Sequence, residues 1–281
     1  MQMPPTLTDR AALARNRDRA LAARDPALFL QEDAADEIQE RLIEVNRRFT
    51  QPAVVTPFAG LWRARLPEAR IVADDDRLDL EPGAHDLVIH ALCLHWANDP
   101  VGQLVQCRRA LRPDGLFLGV LYGGQTLAEL RACLAEAEAS VTGGLSPRVL
   151  PMAEIRDLGG LLQRAGFALP VADSATRNVT YAEMGRLMAD LRAMGEANAL
   201  AGRLRRPTGR QVFSQAAARY ASGFPAPEGR VRATFEMVFL TGWAPDDSQP
   251  KPLRPGSATR RLADALGTAE LPLPPATLRG S

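Results

Sequence analysis

A short polar loop that follows an apolar run carries the side chains best suited to chemistry. His95 and Trp96 open this loop, and Asn98 and Asp99 close it. An imidazole can act as a general base, and an indole ring offers a flat face on which a substrate can stack. We therefore predict catalytic roles for His95, Trp96 and Asp99, and contact with a substrate or partner for Asn98. The competing interpretation is structural: the Trp packs the loop, the His hydrogen-bonds it, and Asp99 caps the helix that begins at Pro100.

Two further pairs of residues stand at the ends of predicted strands. Asp74 and Asp75 follow a short strand, where their carboxylates could accept hydrogen bonds from a cofactor's adenine or ribose; the alternative is a solvated acidic turn. Gly123 and Gly124 follow a second apolar run, where they either shape a pocket floor or turn the chain into the next helix. Because ligands of open α/β sheets bind beyond the carboxyl ends of the strands, both pairs are candidates for the site.

The three histidines are not expected to form a metal site. His85, His90 and His95 are spaced by five residues in and around one strand, so consecutive members point to opposite faces. Three convergent imidazoles would be needed for a zinc-type centre. We predict no metal.

The composition limits the classes of function. With 281 residues and 46% hydrophobic content, the chain can bury one large α/β core. Its net charge of +1 supplies no field that would attract nucleic acid, which we exclude as a partner. The cysteines form no Cys-x-x-Cys pair and suit a reduced compartment. No run reaches the roughly 18 apolar residues of a membrane span. We expect a cytoplasmic protein without a transmembrane segment.

One βαβ unit positions the candidate loop. Residues 87–92 form an apolar run that is too short for an ordinary helix and is typical of a strand covered on both faces. A helix follows from Pro100, and residues 116–121 supply a second apolar strand. Such a unit is right-handed and places the loop at the carboxyl edge of a parallel sheet. The alternating residues 231–243 predict an antiparallel strand that closes this sheet.

Five segments are expected along the chain. They are N-terminal helices at 1–50, an α/β core at 51–175, a helical insertion at 176–230, a closing strand with a Pro-rich loop at 231–265, and a disordered tail at 266–281. The first helix, at about 9–24, is rich in alanine and charge, which indicates a weak surface helix. Only fifteen residues, 56–70, separate the first strand from Ile71, so the sheet is shortened at its first and second strands.

Several motifs in this order resemble known families. Residues 85–99 and 111–117 look like the fourth strand and the entry to the fifth strand of class I S-adenosylmethionine (SAM) dependent methyltransferases, including the malonyl-carrier-protein type of biotin synthesis. Later motifs resemble the methyltransferase-like assembly factors of respiratory complex I, a family that includes an arginine hydroxylase. These motifs are GGQTLAELR at 123–131, GGLSPR at 143–148, DLGGLLQRAGF at 157–167, LMADLRAMGEAN at 187–198 and GSAT at 256–259. The resemblance implies a Rossmann-like sheet, SAM as the cofactor, and a complex I subunit as the partner, which would bring the protein to the inner membrane.

The cofactor region departs from the pattern of this superfamily. The family carries a turn of the form Asp-x-Gly-x-Gly-x-Gly after its first strand, whereas residues 54–60 here read VVTPFAG. The acid that ends the family's second strand has no equivalent, and only Asp74 and Asp75 remain as cofactor-binding candidates. Three functions stay open: a SAM-family enzyme that assembles or modifies a complex I subunit, a degenerate assembly factor that binds no SAM and keeps only the partner surface, and a carrier-protein carboxyl methyltransferase. The sequence leaves open whether the protein is an enzyme at all, and its oligomeric state.

Overall fold

The computed structural model describes residues 6–24, 26–250, 264, 267 and 268. Residues 1–246 form one compact unit and residues 247–281 a second, and every element named below belongs to the first. The GSAT motif, the Pro-rich stretch from residue 251 and most of the predicted tail lie outside the described residues.

Helices and strands alternate through the first unit. The helices are α1 (Arg10–Leu21), α2 (Phe29–Val45), α3 (Ala59–Arg65), α4 (Pro100–Ala110), α5 (Ala128–Thr142), α6 (Ile155–Arg164), α7 (Met184–Ala193) and α8 (Arg210–Gly223). The strands are β1 (Pro52–Val55), β2 (Arg70–Val72), β3 (His85–Ala91), β4 (Leu111–Gly123), β5 (Ala168–Tyr181) and β6 (Val231–Trp243). Short 3₁₀ turns lie at Leu94–Trp96 and Pro227–Gly229.

The strands of the described chain form a six-stranded sheet in the order β2-β1-β3-β4-β6-β5. β1 to β4 pair in parallel, and β6 is antiparallel to both β4 and β5. This confirms the predicted Rossmann-like α/β fold, mostly parallel with an antiparallel last strand. β3 and β4 lie in the middle of the sheet and are covered on both faces, which explains their continuous apolar runs.

Helices cover both faces of the sheet and form two apolar layers. One layer joins the sheet to α2, α5, α7 and α8, with Ile38, Leu134 and Tyr220 among its buried residues. The other joins it to α4 and α6 through Leu104 and Leu162. The sheet therefore has a hydrophobic core on each side, as a mostly parallel sheet requires.

The edge of the sheet beside β1 is short, as the sequence predicts. The crossover at 56–69 contains only α3, and β2 pairs directly with β1 from Ala53 opposite Arg70 to Val55 opposite Val72. β1 and β2 have four and three residues. No strand lies beyond β2 in the described part of the chain.

The strand β5 is longer than its sequence indicates. An apolar pattern predicts a strand only at 167–172, yet β5 continues to Tyr181, so the helical insertion begins after the predicted boundary at residue 176. In its second half, Ala175 and Val179 pack against the hydrophobic layer. Ion pairs with α2 lie beside them: Arg41 contacts Asp173, and Arg177 contacts Asp33 and Glu37. Charged residues interrupt the apolar ones on the covered face, so the hydrophobic alternation in the sequence is too weak to predict this part of the strand.

The helix α1 is not a surface helix, contrary to the sequence-based expectation. Leu13, Arg17 and Ala20 are buried along one side, and the helix contacts α7 and the segment that follows it. The backbone N–H of Asp9 donates to the carbonyl of Ala199, and the amide of Asn16 donates to that of Ala197. These polar contacts add to a small apolar cluster in which Ala12 and Leu13 pack with Trp96 and Leu200, so the helix is docked without a broad apolar stripe.

The helices of the described residues are short or carry charge on more than one side. None of them combines the length and the apolar content that crossing a membrane would take.

Candidate functional site

A hydrogen-bonded trio of side chains links the loop after β3 to the segment after α7. His95 and Trp96 lie in the 3₁₀ turn that directly follows β3, and Glu196 lies three residues beyond the end of α7. The Trp96 Nε1 donates to the Glu196 Oε2 at 2.6 Å, and the His95 Nε2 lies 3.2 Å from the same oxygen. Both donors therefore fix one oxygen of the carboxylate and leave the other, Oε1, without a hydrogen-bond partner.

Glu196 carries its charge in a buried position. The side chains of His95 and Glu196 are 3% and 9% exposed. Burial raises the pKa of Glu196, but the charge and hydrogen bond of His95, the guanidinium of Arg17 and the hydrogen bond of Trp96 outweigh it and hold this pKa below its ordinary value. Glu196 is thus an ionised carboxylate in a largely apolar setting.

A cavity of about 260 Å³ adjoins this trio. His95, Trp96 and Glu196 line it together with apolar side chains from β4, α5, α7, α8 and β6. These apolar residues include Tyr122, Leu130, Leu134, Met188, Phe213 and Phe235. The ring of Tyr122 meets that of His95 edge to face at a centroid distance of 5.0 Å. The cavity combines apolar walls with few polar groups, as small-molecule and side-chain sites do.

Two arginines also line the cavity. Arg148 is neutralised by Glu138, which accepts from its Nε at 2.8 Å and from its Nη2 at 2.7 Å. Arg192 lies on the last turn of α7 and is exposed. Of the charged residues Arg148, Arg192 and Glu196, the last is therefore the buried one that has no bidentate ion-pair partner.

The other residues of the predicted catalytic loop have structural partners. The side-chain oxygen of Asp99 accepts from the backbone N–H of Gly102 at 2.8 Å and caps α4, as the alternative interpretation holds. The Asn98 amide bonds the segment before α1: its Oδ1 accepts from the N–H groups of Leu7 and Thr8, and its Nδ2 donates to the carbonyl of Thr8. Neither residue lines the cavity.

The glycine pair sits at the end of β4 and in the turn after it. A Cβ atom on Gly123 would lie 2.7 Å from Cγ2 of Val238. Gly124 has a φ of +48°, and a Cβ there would lie 2.1 Å from the carboxylate of Glu236. Close packing and a left-handed backbone both require glycine here, and neither glycine lines the cavity.

The two aspartates predicted to bind the cofactor lie outside the cavity of Glu196. Asp74 is buried and ion-paired with Arg17, whose Nη1 lies 2.5 Å from its Oδ2, and Arg10 contacts both its side chain and its carbonyl. Asp75 is exposed, and its carbonyl accepts from the amide of Gln103 at 3.1 Å. The helix α1 therefore holds Asp74, and the structure brings neither aspartate to the cavity of Glu196.

The residues at the end of β1 lack the glycine-rich turn with which the superfamily approaches SAM. Where the superfamily has its glycine-rich turn, the chain runs through Thr56 and Phe58 into α3. The hydroxyl of Thr56 accepts from the backbone N–H of Phe58, and the ring of Phe58 is 1% exposed. β2 pairs directly with β1, so Asp74 stands where the superfamily has the acid for which the sequence predicts no equivalent, and it is ion-paired with Arg17.

The three histidines have separate partners. His85 Nδ1 lies 3.1 Å from the carbonyl of Gln51, and His90 Nε2 lies 2.7 Å from the side-chain oxygen of Gln103. Burial lowers the pKa of His90 to about 4, so this imidazole is neutral at physiological pH.

The sequence interpretation did not single out Glu196 or Arg17 as functional. Glu196 stands inside the motif at 187–198, directly after Gly195, whose φ is +77°. An acidic residue directly after a glycine that ends a helix is a local sequence signal. Its role became visible only from its contacts with His95 and Trp96 in the loop after β3. Arg17 is one of several arginines on α1, and nothing in its spacing marks it as the buried one.

Comparisons with known proteins agree with this architecture. A family model described as a methyltransferase domain matches residues 37–119. The chain is 39% identical over 199 residues to the mitochondrial arginine-hydroxylase NDUFAF5 of Danio rerio, covering 71% of this chain and 62% of that protein. It thus spans less than two thirds of the length of these hydroxylases, including 60% of the human one.

A second group of relatives matches over more of its own length. The malonyl-[acyl-carrier protein] O-methyltransferase of Laribacter hongkongensis is 33% identical over 276 residues, which cover 85% of this chain and 90% of that protein. Among solved structures, the YcgJ protein of Bacillus subtilis superposes with a TM-score of 0.47 at 9% identity, covering 74% of this chain and 97% of its own. The topology of the sheet and the identity to these two groups show that this chain belongs to the class I SAM-dependent methyltransferase superfamily.

Proposed function

We propose that this protein acts in the assembly of respiratory complex I by taking a basic side chain of one subunit into the cavity beside Glu196. The name of the arginine-hydroxylase relatives points to arginine as that side chain. The observation that carries the proposal is the Glu196 carboxylate, which is ionised, buried and fixed through one oxygen while the other has no partner. An unpaired acceptor inside a protein costs about 1–3 kcal/mol, and a guanidinium donor would remove that cost.

The size and walls of the cavity support the same ligand. Its volume of about 260 Å³ lies below the roughly 300–1,000 Å³ of sites for drug-sized ligands and suits one side chain. Leu130, Leu134 and Met188 can pack along the methylene stem of an arginine, while the charged head reaches the carboxylate. His95 and Trp96 then serve as positioning residues that hold the Glu196 carboxylate in one orientation.

The same charge disfavours the carrier-protein alternative. A malonyl group would bring a carboxylate towards Glu196, and two like charges in an apolar cavity repel each other strongly. Of the two arginines that line the cavity and could offset that repulsion, Arg148 is already paired with Glu138, and Arg192 is exposed, where solvent weakens its effect. We therefore favour a role in complex I assembly over carboxyl methyltransferase activity.

A second candidate shares the partner and omits the chemistry. In this reading the protein is an assembly factor that binds the subunit without modifying it. The specific support is the state of Asp74, which is taken up by Arg10 and Arg17, and the missing glycine-rich turn after β1. Either candidate would bring the protein to the inner membrane through its partner.

Gene deletion and complementation test the proposal. The gene is deleted in its host and restored either as the wild type or as Glu196→Gln, and complex I is followed by native gel electrophoresis and activity. We expect assembly to fall in the deletion, to return with the wild type and to stay low with Glu196→Gln. Normal complex I in the deletion strain would refute the proposal.

Mass spectrometry of the complex I subunits from the same strains identifies the chemistry. A subunit arginine that carries one added oxygen only when the wild-type gene is present would support the hydroxylation candidate. An arginine that is unchanged in all strains, combined with lost assembly in the deletion, would support binding alone.

A further inference from the structure

The crevice in which a sheet of this kind holds its nucleotide lies between β1 and β3. The chain passes from β1 to β2 on one side and then to β3 on the other, so the strand order reverses at this point, and ligands bind beyond the carboxyl ends of the strands there. The thiol of Cys93, just after β3, lies 3.6 Å from the carbonyl of Val55 at the end of β1. Asp74, just after β2, lies at the same edge of the sheet; we call Val55, Asp74 and Cys93 the rim of the crevice.

We propose that helix α1 is the permanent occupant of this crevice, with the Arg17 guanidinium held on Asp74 where superfamily members would hold SAM, so that the protein binds no SAM. The side chains of Arg17 and Asp74 are 6% and 10% exposed, and their 2.5 Å contact lies inside the protein. Arg17 also interacts electrostatically with Cys93 on the rim and with Glu196. Its charge therefore stands between the crevice and the neighbouring cavity.

The helix is built into the fold at its N-terminus and along its second half. The segment before it is held by Asn98, and Asp9 at its N-terminus accepts from Arg203 at 2.9 Å. Further along, a Cβ on Gly195 would lie 3.1 Å from Cγ and 3.2 Å from Cα of Arg17, so the backbone after α7 rests directly on the helix. These contacts are those of a packed element of the structure and not of a detachable lid.

A competing cofactor would have to break the buried ion pair. Removing one partner of a buried pair is costly enough to lower a competing affinity by roughly 10²- to 10⁴-fold. The hydrogen bonds that superfamily members draw from a glycine-rich turn are lost as well, because Phe58 fills that position. A micromolar affinity would therefore fall to millimolar or weaker. The proposal that α1 occupies the crevice is independent of which partner enters the Glu196 cavity.

Calorimetric titration of the full chain with SAM and with S-adenosylhomocysteine is the direct test. We expect no saturable binding up to millimolar ligand, with a malonyl-carrier-protein methyltransferase as the positive control. A dissociation constant in the micromolar range for either compound would overturn the proposal. Peptide binding at Glu196 is measured separately, so failure here and failure of the proposed function are distinguishable.

Paired variants test whether the ion pair holds the helix. We expect Arg17→Met and Asp74→Asn each to lower the melting temperature by roughly 6 to 20 °C, and the double variant to lose less than the sum. Arg15→Met, on the exposed side of the same helix, is the matched control. An Arg17→Met variant that melts like Arg15→Met would contradict the proposal, because the ion pair would then not hold the helix.

Hydrogen exchange on the wild-type protein covers the case in which Arg17→Met does not fold. We expect the amides in the middle of α1 to exchange as slowly as those of β3, both with and without millimolar SAM. Amides of α1 that exchange at the rate of an unstructured peptide, or that lose protection when SAM is added, would show that the helix does not occupy the crevice permanently.

Discussion

Trp96 and Glu196 stand 100 positions apart in the chain and are joined by a 2.6 Å hydrogen bond from the indole Nε1 to the carboxylate Oε2. The bond connects the carboxyl end of a central strand to the segment that follows α7. Because His95 reaches the same oxygen, the carboxylate is held in one orientation at the edge of an apolar cavity. The proposed recognition of a basic side chain depends on this arrangement.

Replacing the carboxylate by its neutral isostere tests that recognition directly. We expect Glu196→Gln to keep the fold and to weaken binding of an arginine-containing peptide of the partner subunit by roughly 10- to 150-fold, since a hydrogen bond to a charged group contributes about 1.5–3 kcal/mol. Fluorescence anisotropy of a labelled peptide measures the affinity, and circular dichroism checks the fold.

Two controls belong to this measurement. Glu154→Gln removes an exposed acid that does not line the cavity, and it should leave the affinity unchanged. A peptide with citrulline in place of arginine should bind the wild type weakly and be indifferent to Glu196→Gln. Equal binding of both peptides to the wild type would rule out recognition of the charge.

A substitution of Asp99 tests whether this loop residue stabilises the fold or takes part in the site. Because its side chain caps α4, we expect Asp99→Ala to lower the free energy of unfolding by about 0.5–2 kcal/mol. Peptide affinity should not change, since Asp99 does not line the cavity. Chemical denaturation gives the stability. A large loss of affinity at unchanged stability would restore the catalytic role that the sequence predicts for this residue.

The pair of Glu138 and Arg148 should make stability depend on acid pH. The hydrogen bonds of Arg148 lower the pKa of Glu138 from 4.5 to about 2, against the opposing effect of burial and with help from Ser146. A depressed pKa in the folded state means that the stabilisation is complete above about pH 4.5 and is lost as the pH falls towards about 2. Glu138→Gln should therefore destabilise the protein at pH 7 and much less near pH 2.

The expected loss for Glu138→Gln at pH 7 is about 1–3 kcal/mol, measured by urea unfolding across this pH range. Glu136 provides a matched control on the same helix, because its side chain is 68% exposed and its contact with Arg219 spans 3.6 Å. Glu136→Gln should change the stability by less than about 1 kcal/mol at any pH. A pH-independent difference between wild type and Glu138→Gln would contradict the assigned ion pair.

Two glycines should respond in opposite directions to alanine. Gly124 combines a φ of +48° with the carboxylate of Glu236 in the place of a Cβ, so we expect Gly124→Ala to lose about 1–3 kcal/mol. Gly160 lies within α6 with no atom within 4 Å of a built Cβ, and Gly160→Ala should gain about 0.5–1 kcal/mol. Thermal unfolding measures both, and a neutral Gly124→Ala would mean that the turn after β4 relaxes.

The sheet and its order of elements could be predicted from the sequence because the signals are local. The apolar runs at 87–92 and 116–121 and the polar loop between them predict β3, α4 and β4, and the structure has them at these positions. The short distance between Val55 and Ile71 predicts a shortened edge, since a crossover needs about a dozen residues. Each of these conclusions depends on residues close together in the chain.

The candidate site could be predicted only in part. Sequence pointed to His95 and Trp96 because strand ends in α/β sheets face ligand crevices, and both line the cavity. It placed Asn98 in the same site, whereas that amide faces the segment before α1. Successive side chains of an irregular loop point in different directions, so proximity along the chain does not fix what each side chain contacts.

By itself, the sequence determined the fold class and the loss of the glycine-rich turn, because backbone periodicity and the presence of glycine are properties of short segments. Only the tertiary structure decided which charges meet. Arg17 finds Asp74 across 57 positions, and Trp96 finds Glu196 across 100. A charged side chain has no periodic signature, and its partner is chosen by how the helices pack. The occupied crevice and the charged cavity are therefore products of packing and not of pattern.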